Sequence, residues 1–210
     1  NPDGSEAEMC GNGIRCAAKF IKEYKLSAKK ELLIETPAGL KLVKSVGNQF
    51  EVDMGEPIMK GKEIPVNLSG RIINRPLKTE SKDFRITCLS VGNPHCITFH
   101  EELKDLPVEK FGPMLETYSI FPKKANISFV NVISKKELQL RVWERGAGET
   151  LGCGTAACAS AVASVLNGFT DRKVTAVLPG GKLEIEWSTK DNHIYMKGPA
   201  EIVFTGEIAI

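Results

Sequence analysis

The sequence predicts an α+β protein built twice over, each unit a β-sheet with one helix packed into it. Three observations carry that prediction. Two helices open alike: Cys10-Gly11-Asn12-Gly13 leads into Ile14–Phe20, and Cys153-Gly154-Thr155 leads into a run of very small residues, with the two cysteines 143 positions apart. Thr36-Pro37-Ala38-Gly39-Leu40-Lys41-Leu42 echoes Leu178-Pro179-Gly180-Gly181-Lys182-Leu183, with the prolines 142 apart. QFEVDMGEP echoes HIYMKGP, with Met54 and Met196 also 142 apart. Three echoes at nearly one offset mark a duplicated unit.

Taken in order, Asn1–Met9 is a polar loop that delivers Cys10 to the first helix, whose apolar residues continue to Tyr24. Leu32–Thr36, Leu40–Val46 and Gln49–Met54 read as strands, with Gly47-Asn48 as the hairpin turn between the last two. Glu56–Pro65, broken by Pro57, Gly61 and Pro65, reads as the linker between the copies. Phe84–Ser90 and Cys96–Phe99 are short strands flanking the Val91-Gly92-Asn93-Pro94-His95 loop, and Glu109–Thr117 is a weak helix. Asn126–Ile133 and Leu138–Trp143 alternate as strands do, and the second runs straight into the loop before Cys153. The second helix starts near Thr155, is apolar on nearly every side, and ends at Asn167-Gly168 with glycine at the C-terminal capping position. A helix of that kind is buried. Lys173–Leu178, Lys182–Trp187, His193–Lys197 and Ile202–Phe204 complete the strands.

The 210 residues suffice for one large or two small domains with a substantial core. A hydrophobic fraction of 42% and a charged fraction of 26% are those of an ordinary globular protein. The formal net charge is +2 and the lysines are scattered, which argues against nucleic acid or an acidic membrane as partner. No secretory signal or long apolar run is present in the sequence. The six cysteines are too sparse for a disulfide scaffold, and the C-x5-C and C-x4-C spacings lack the histidines a zinc site would need. They read as reduced thiols of a cytoplasmic protein, with no metal and no cofactor.

The chemistry is concentrated at the two helix starts. A cysteine at a helix N-terminus meets free backbone N–H groups and the positive end of the dipole, which favour its thiolate. One such cysteine alone is usually a small packed hydrophobe. Two of them, related by duplication, can face each other across a cleft. A thiol on either side of one carbon lets one face lose a proton while the other gains one, which is stereochemical inversion by two bases. The two helix starts could hold the carboxylate beside that carbon with backbone donors.

The stretches NPDGSEAEMCGNGIRCAAKF, VGNPHC and ERGAGETLGCGTAACA, in this order, resemble the diaminopimelate epimerase family, and the resemblance extends over essentially the whole chain. It implies two pseudo-symmetric domains, each a β-sheet or barrel wrapped around a central α-helix. The first comprises residues 1–55 and 199–210, with a last strand near Ala200–Ile210 returning to it; the second comprises 56–198. It also implies a cofactor-independent epimerase that interconverts LL- and meso-diaminopimelate for lysine and peptidoglycan precursors, working as a homodimer. Carried over motif by motif, Cys10 and Cys153 are the acid/base thiols, with His95 close to them. Gly11, Asn12, Gly154 and Thr155 hold the reacting carboxylate, and Asn1, Asn93 and Asn126 bind the substrate. Glu144 lies near the reacting ammonium group, and Arg145 takes the distal carboxylate. Cys16 and Cys158 are read as packing residues inside their helices, and His100 and His193 as surface residues.

Two other readings compete. Proline racemases also use two cysteines, but their first motif resembles Cys-Gly-His, not the Cys10-Gly11-Asn12-Gly13 found here. A binding module without catalysis could keep the anion-binding helix starts. The chain opens at Asn1 without methionine, already inside a motif, and the resemblance implies further strands and substrate-binding residues ahead of it.

Overall fold

The computed structural model describes residues 9–208. Asn1 therefore lies outside the described residues. Three α-helices occur among those described, α1 (Gly11–Glu23), α2 (Val108–Glu116) and α3 (Gly154–Leu166), with one short 3-10 turn at Gly61–Glu63. The strands are β1 (Glu31–Thr36), β2 (Gly39–Val46), β3 (Gln49–Asp53), β4 (Ile72–Leu77), β5 (Phe84–Ser90), β6 (Pro94–Phe99), β7 (Asn126–Ser134), β8 (Glu137–Glu144), β9 (Gly148–Thr150), β10 (Lys173–Leu178), β11 (Gly181–Trp187) and β12 (Ile194–Pro199).

The strands join in one mixed sheet of order β1-β2-β3-β12-β11-β10-β8-β7-β6-β5-β4, with β9 added to β8. Two neighbouring pairs are parallel, β6 with β7 and β8 with β10. Each of these parallel pairs has a helix in its connection, α2 in the first and α3 in the second. The duplication is visible in the geometry. Hairpins β1–β2 and β10–β11 close at equivalent places, Thr36 opposite Gly39 and Leu178 opposite Gly181. The echoed strands β3 and β12 pair with each other, antiparallel, with Asp53 opposite Tyr195 and Val52 opposite Met196. Asp53 and Tyr195 occupy corresponding positions in the two copies, so the approximate twofold axis passes between them. Met54 N–H donates to Ile194 O, and Ile194 N–H to Gly55 O, both at 2.9 Å, extending the seam.

Helix α3 is the central element. Every residue from Gly154 to Ser164 is buried, and the helix packs against β5, β6, β7, β8, β10, β11 and β12, which wrap around it. Its alanines let strands approach closely from all sides, which no helix with larger side chains would permit. It ends in a Schellman motif: Gly168 N–H donates to Val165 O, Phe169 N–H donates to Ser164 O, and Gly168 takes a φ of 73° that favours glycine.

Helix α1 is less enclosed than α3 among the described residues. It is amphipathic: Ile14, Arg15 and Ala18 are buried, whereas Phe20 and Tyr24 remain 52% and 50% exposed and stack on each other at 4.5 Å. It packs against β2, β3 and α3, Arg15 reaches Pro199 of β12, and residues 200–206 flank Cys16, Phe20 and Tyr24 across an open groove on its outer face. Cys16 lies on that open face, so the reading of it as a packing residue is corrected; Cys158 is buried as expected. The expected strand at Ile202–Phe204 is also corrected, as is the one near Ala200–Ile210 as far as residue 208, its last two residues lying outside those described. Residues 200–208 form no strand, and Val203 and Phe204 are exposed, because no described strand offers them a ladder.

Two apolar clusters support this arrangement. The larger joins α1 and α3 to β2, β3, β8 and β10–β12, so both helices share one core. The smaller fills the space under α2, where Phe84 and Phe111 meet edge to face at 5.3 Å beside Phe121 and Phe129.

Candidate active site

The two helix starts meet head to head at the twofold axis. A Cβ on Gly11 would lie 3.2 Å from the Gly154 Cα, and one on Gly154 would lie 3.1 Å from the Gly11 Cα. Met196, from the seam strand β12, closes the space beneath both: its Sδ would be 2.9 Å from a Gly154 Cβ and its Cε 3.0 Å from a Gly11 Cβ. Only glycine permits this approach. The preceding cysteines take matching N-cap conformations, φ −121° and ψ 104° for Cys10, φ −125° and ψ 115° for Cys153. Cys10 Sγ accepts the Gly13 N–H at 3.3 Å. In the second copy the Ala156 amide, at the same helical position, favours the Cys153 thiolate without closing a full cap bond.

One cavity of about 110 Å³ opens at this junction. It is lined by Cys10, Gly11, Asn12, Asn93, Asn126, Glu144, Arg145, Cys153, Gly154 and Thr155, together with Met9 and Gly152. The structure thus brings together every described residue on which the sequence reading placed substrate contact or proton transfer, except His95.

His95 is fully buried and does not line the cavity. The register of β6 against β7 sets it opposite Asn126. Burial first, and the nearby Arg145 charge second, push its pKa down to about 3, so it is neutral. Its Nε2–H donates to Asn93 Oδ1 at 2.9 Å, and its Nδ1 has no partner among the described residues, as fits this tautomer. With Oδ1 engaged, Asn93 Nδ2 turns to Thr155 Oγ1 at 3.4 Å, and Thr155 Oγ1 lies 3.4 Å from Cys153 Sγ. His95 is therefore connected to the cavity lining through Asn93.

Cys153 differs from the expectation of a helix-stabilised thiolate. It is 6% exposed, and burial, reinforced by the Glu144 carboxylate, pushes its pKa up to about 12. The Thr155 hydroxyl and the helix amide favour the thiolate but do not offset this. Desolvation outweighs the dipole here. Cys10, at the equivalent place in the first copy, is exposed.

The carboxylate and the arginine stand on the turn between β8 and β9. Thr150 Oγ1 donates to Glu144 Oε1 at 2.6 Å. Arg145 N–H donates to Asn126 Oδ1 at 2.9 Å, while Asn126 Nδ2 donates to Pro94 O at 3.1 Å, so Asn126 braces both neighbouring segments. Arg145 Nη1 reaches Lys123 O at 3.4 Å.

Sequence reasoning missed Arg15 and Glu116. Arg15 is buried under the α1 start, where it donates from Nη1 to Gly11 O at 3.0 Å, from Nη2 to Asn12 Oδ1 at 3.1 Å and from Nε to Pro199 O at 3.2 Å. Desolvation lowers its pKa, against the pull of the neighbouring thiols. Held this way, Asn12 Nδ2 donates to Gly152 O at 2.9 Å, tying the first helix start to the loop that carries Cys153. The available signal was an arginine four residues after Gly11, on the face that the small residues mark as buried.

Two helices of opposed units, abutting at glycines and each headed by a cysteine, define the epimerase and racemase fold. Solved structures share that fold. A probable proline racemase from Agrobacterium radiobacter superposes with a TM-score of 0.71 at 12% identity, over 100% of this chain and 70% of that one. A PhzF-family phenazine biosynthesis protein from Bacillus anthracis does so with a TM-score of 0.64 at 18% identity, over 93% of this chain and 74% of that one. Sequence relatives are more specific. The diaminopimelate epimerase of Methanococcus maripaludis is 51% identical over 100% of this chain and 78% of its own length. That of Acetivibrio thermocellus is 49% identical over 99% and 76%, and that of Trichodesmium erythraeum 52% identical over 100% and 77%. The family profile of diaminopimelate epimerase matches residues 1–60 and 87–203. The chain belongs to the diaminopimelate epimerase family. No helix among the described residues is long and apolar enough to cross a membrane.

Proposed function

We propose that the protein interconverts LL- and meso-diaminopimelate by a two-base mechanism between Cys10 and Cys153. The observation that carries this reading is the single cavity in which two cysteine-headed helix starts, Glu144 and Arg145 converge. The backbone amides at Gly11-Asn12 and Gly154-Thr155 hold the reacting carboxylate and stabilise the negative charge that develops when the α-proton leaves. Arg145 takes the distal carboxylate, and Asn1, Asn93 and Asn126 position the chain between. Burial and Glu144 favour Cys153 as the resting thiol, so in the two-base reading Cys10 is the partner that acts first as base. Cys10 then removes the α-proton from one face while Cys153 donates its proton to the other, leaving a Cys10 thiol and a Cys153 thiolate. Exchange with solvent resets the pair, and the opposite proton arrangement serves the reverse direction. The substrate ammonium group beside Glu144 offsets the carboxylate that raises the Cys153 pKa, so the thiolate becomes accessible when substrate is bound. His95 is a positioning residue, acting through Asn93 and Thr155. The same reading carries a domain division at residues 55 and 199, a cytoplasmic homodimer, and a place in lysine and peptidoglycan precursor synthesis.

Incubation with diaminopimelate in deuterium oxide should place deuterium at the α-carbon; a binding module would leave the substrate unlabelled. The cysteines are separated by a substrate analogue with a β leaving group, for which proton removal alone triggers elimination. Cys10→Ser and Cys153→Ser should eliminate from opposite α-stereoisomers. A shared preference would overturn the two-base assignment.

A further inference from the structure

Glu116 is the last residue of α2 and 6% exposed, yet it does not line the cavity. A buried carboxylate at a helix C-terminus is opposed by both desolvation and the helix dipole. What holds it there comes from the two segments that carry substrate-facing residues. Its Oε2 accepts Trp143 Nε1–H at 2.8 Å, and its Oε1 accepts the Gly146 N–H at 3.3 Å; these donors bracket Glu144 and Arg145. Its Oε1 also meets Lys124 Nζ at 3.6 Å, two residues before Asn126. Both tethered segments have left-handed backbone at the contact, Gly146 at φ 76° and Lys124 at φ 56°. Lys124 is a conformation that a non-glycine residue adopts at a cost, and it follows Lys123, whose carbonyl accepts from Arg145. Trp143 is pressed onto the helix at Gly112, where a Cβ would collide with its indole ring.

Resting on the functional reading above, we propose that Glu116 is a positioning residue for substrate specificity, aiming Arg145 at the distal carboxylate by fixing the Trp143–Gly146 turn against the Lys123–Asn126 segment. Of the two residues its donors bracket, Glu144 is held separately by Thr150 Oγ1 at 2.6 Å, so the loss of Glu116 falls on Arg145: it shifts recognition of the distal carboxylate and spares proton transfer. Displacing a binding group by roughly 1 Å can cost about a hundredfold. Glu116→Gln, which turns an NH2 toward one of two N–H donors, should therefore raise KM for diaminopimelate by about ten- to a hundredfold and change kcat by less than about threefold.

The decisive comparison is a double-mutant cycle with Arg145→Lys. In that background Glu116→Gln should change KM by less than about twofold, because the group it aims is already gone. Multiplicative effects, or a fall in kcat at unchanged KM, would overturn the proposal. Trp143→Phe, which removes one donor and keeps the ring on Gly112, should reproduce the KM shift at smaller size, and serves if Glu116→Gln does not fold. Independently of turnover, the Gly146 amide should exchange hydrogen faster in Glu116→Gln, and unchanged exchange would also overturn the proposal. A wild-type protein inactive on diaminopimelate would sink the functional reading; an active one indifferent to Glu116→Gln sinks this inference alone.

Discussion

The contact between the two helix starts makes Gly154→Ala a sharp test of how the site is assembled. The added methyl would sit 2.9 Å from Met196 Sδ and 3.1 Å from the Gly11 Cα, and the second neighbour is backbone that cannot rotate away. Overpacking of this kind costs about 1–3 kcal/mol. Replacing glycine at an ordinary φ returns about 0.4–1 kcal/mol by restricting the unfolded chain. The net destabilisation therefore spans about 0–2.6 kcal/mol with a middle value of about 1.3 kcal/mol, which for a chain of this size lowers Tm by about 3–5 °C. Activity should fall further than stability, because separating the helix starts by a few tenths of an ångström displaces the amides and both thiols at once. Circular dichroism melting and the α-deuteration assay read the two effects. Gly152→Ala is the local control for stability, since its Cβ would meet only Asn12 Nδ2, at 3.9 Å. A Gly154→Ala protein with wild-type Tm and wild-type rate would refute the claim that close approach of the two helices defines the site.

Two predictions concern titration. The Cys153 pKa of about 12 lies above its unfolded value of about 8.5, so the stability it contributes is present below about pH 8.5 and lost as pH rises toward 12. Because Glu144 adds to the rise, Glu144→Gln should shift the pH profile of iodoacetamide labelling at Cys153 to lower pH; an unmoved profile would refute that coupling. The His193 pKa is raised, first by its hydrogen bond to Asp53 across the seam at 2.9 Å, so its contribution is present at low pH and fades as pH climbs through the folded-state value. Asp53→Asn should lower the His193 midpoint in an NMR titration, and no change would show that the pair does not form in solution.

Features written in local chemistry were legible in the sequence. Gly168 after Asn167 announced the end of α3, Gly47 the β2–β3 turn, and the small residues from Ala156 to Ala163 a helix enclosed on all sides. The cysteine before each helix start marked the site because cap geometry depends on only a few neighbouring residues. What escaped depended on partners distant in sequence. His95 matched a residue close to the thiols, but that it is fully buried and reaches the cavity through Asn93 depends on the pairing of β6 with the distant β7. Glu116 carried no signal, since its donors lie 27 and 30 positions further on. The helix dipole at Cys153 was correctly located but was outweighed by burial, which sequence does not report. The amphipathic pattern of α1 was present in Phe20 and Tyr24, but helix-start similarity to α3 masked it.

The seam between β3 and β12 gives the molecule a built-in ruler. Because each copy contributes one strand to it, the placement of one thiol-bearing helix relative to the other is fixed by which residue of β3 lies opposite which residue of β12. Strand positions are discrete. Slipping the pair by two residues preserves every inward-facing side chain but moves one half past the other by about 6.8 Å, several bond lengths more than a single carbon atom spans. No intermediate setting is open to the ladder. The relative placement of the two helix starts is thus set in discrete steps while Asp53 stays opposite Tyr195, and contacts at the helix starts themselves, such as Gly11 against Gly154, adjust it within one step.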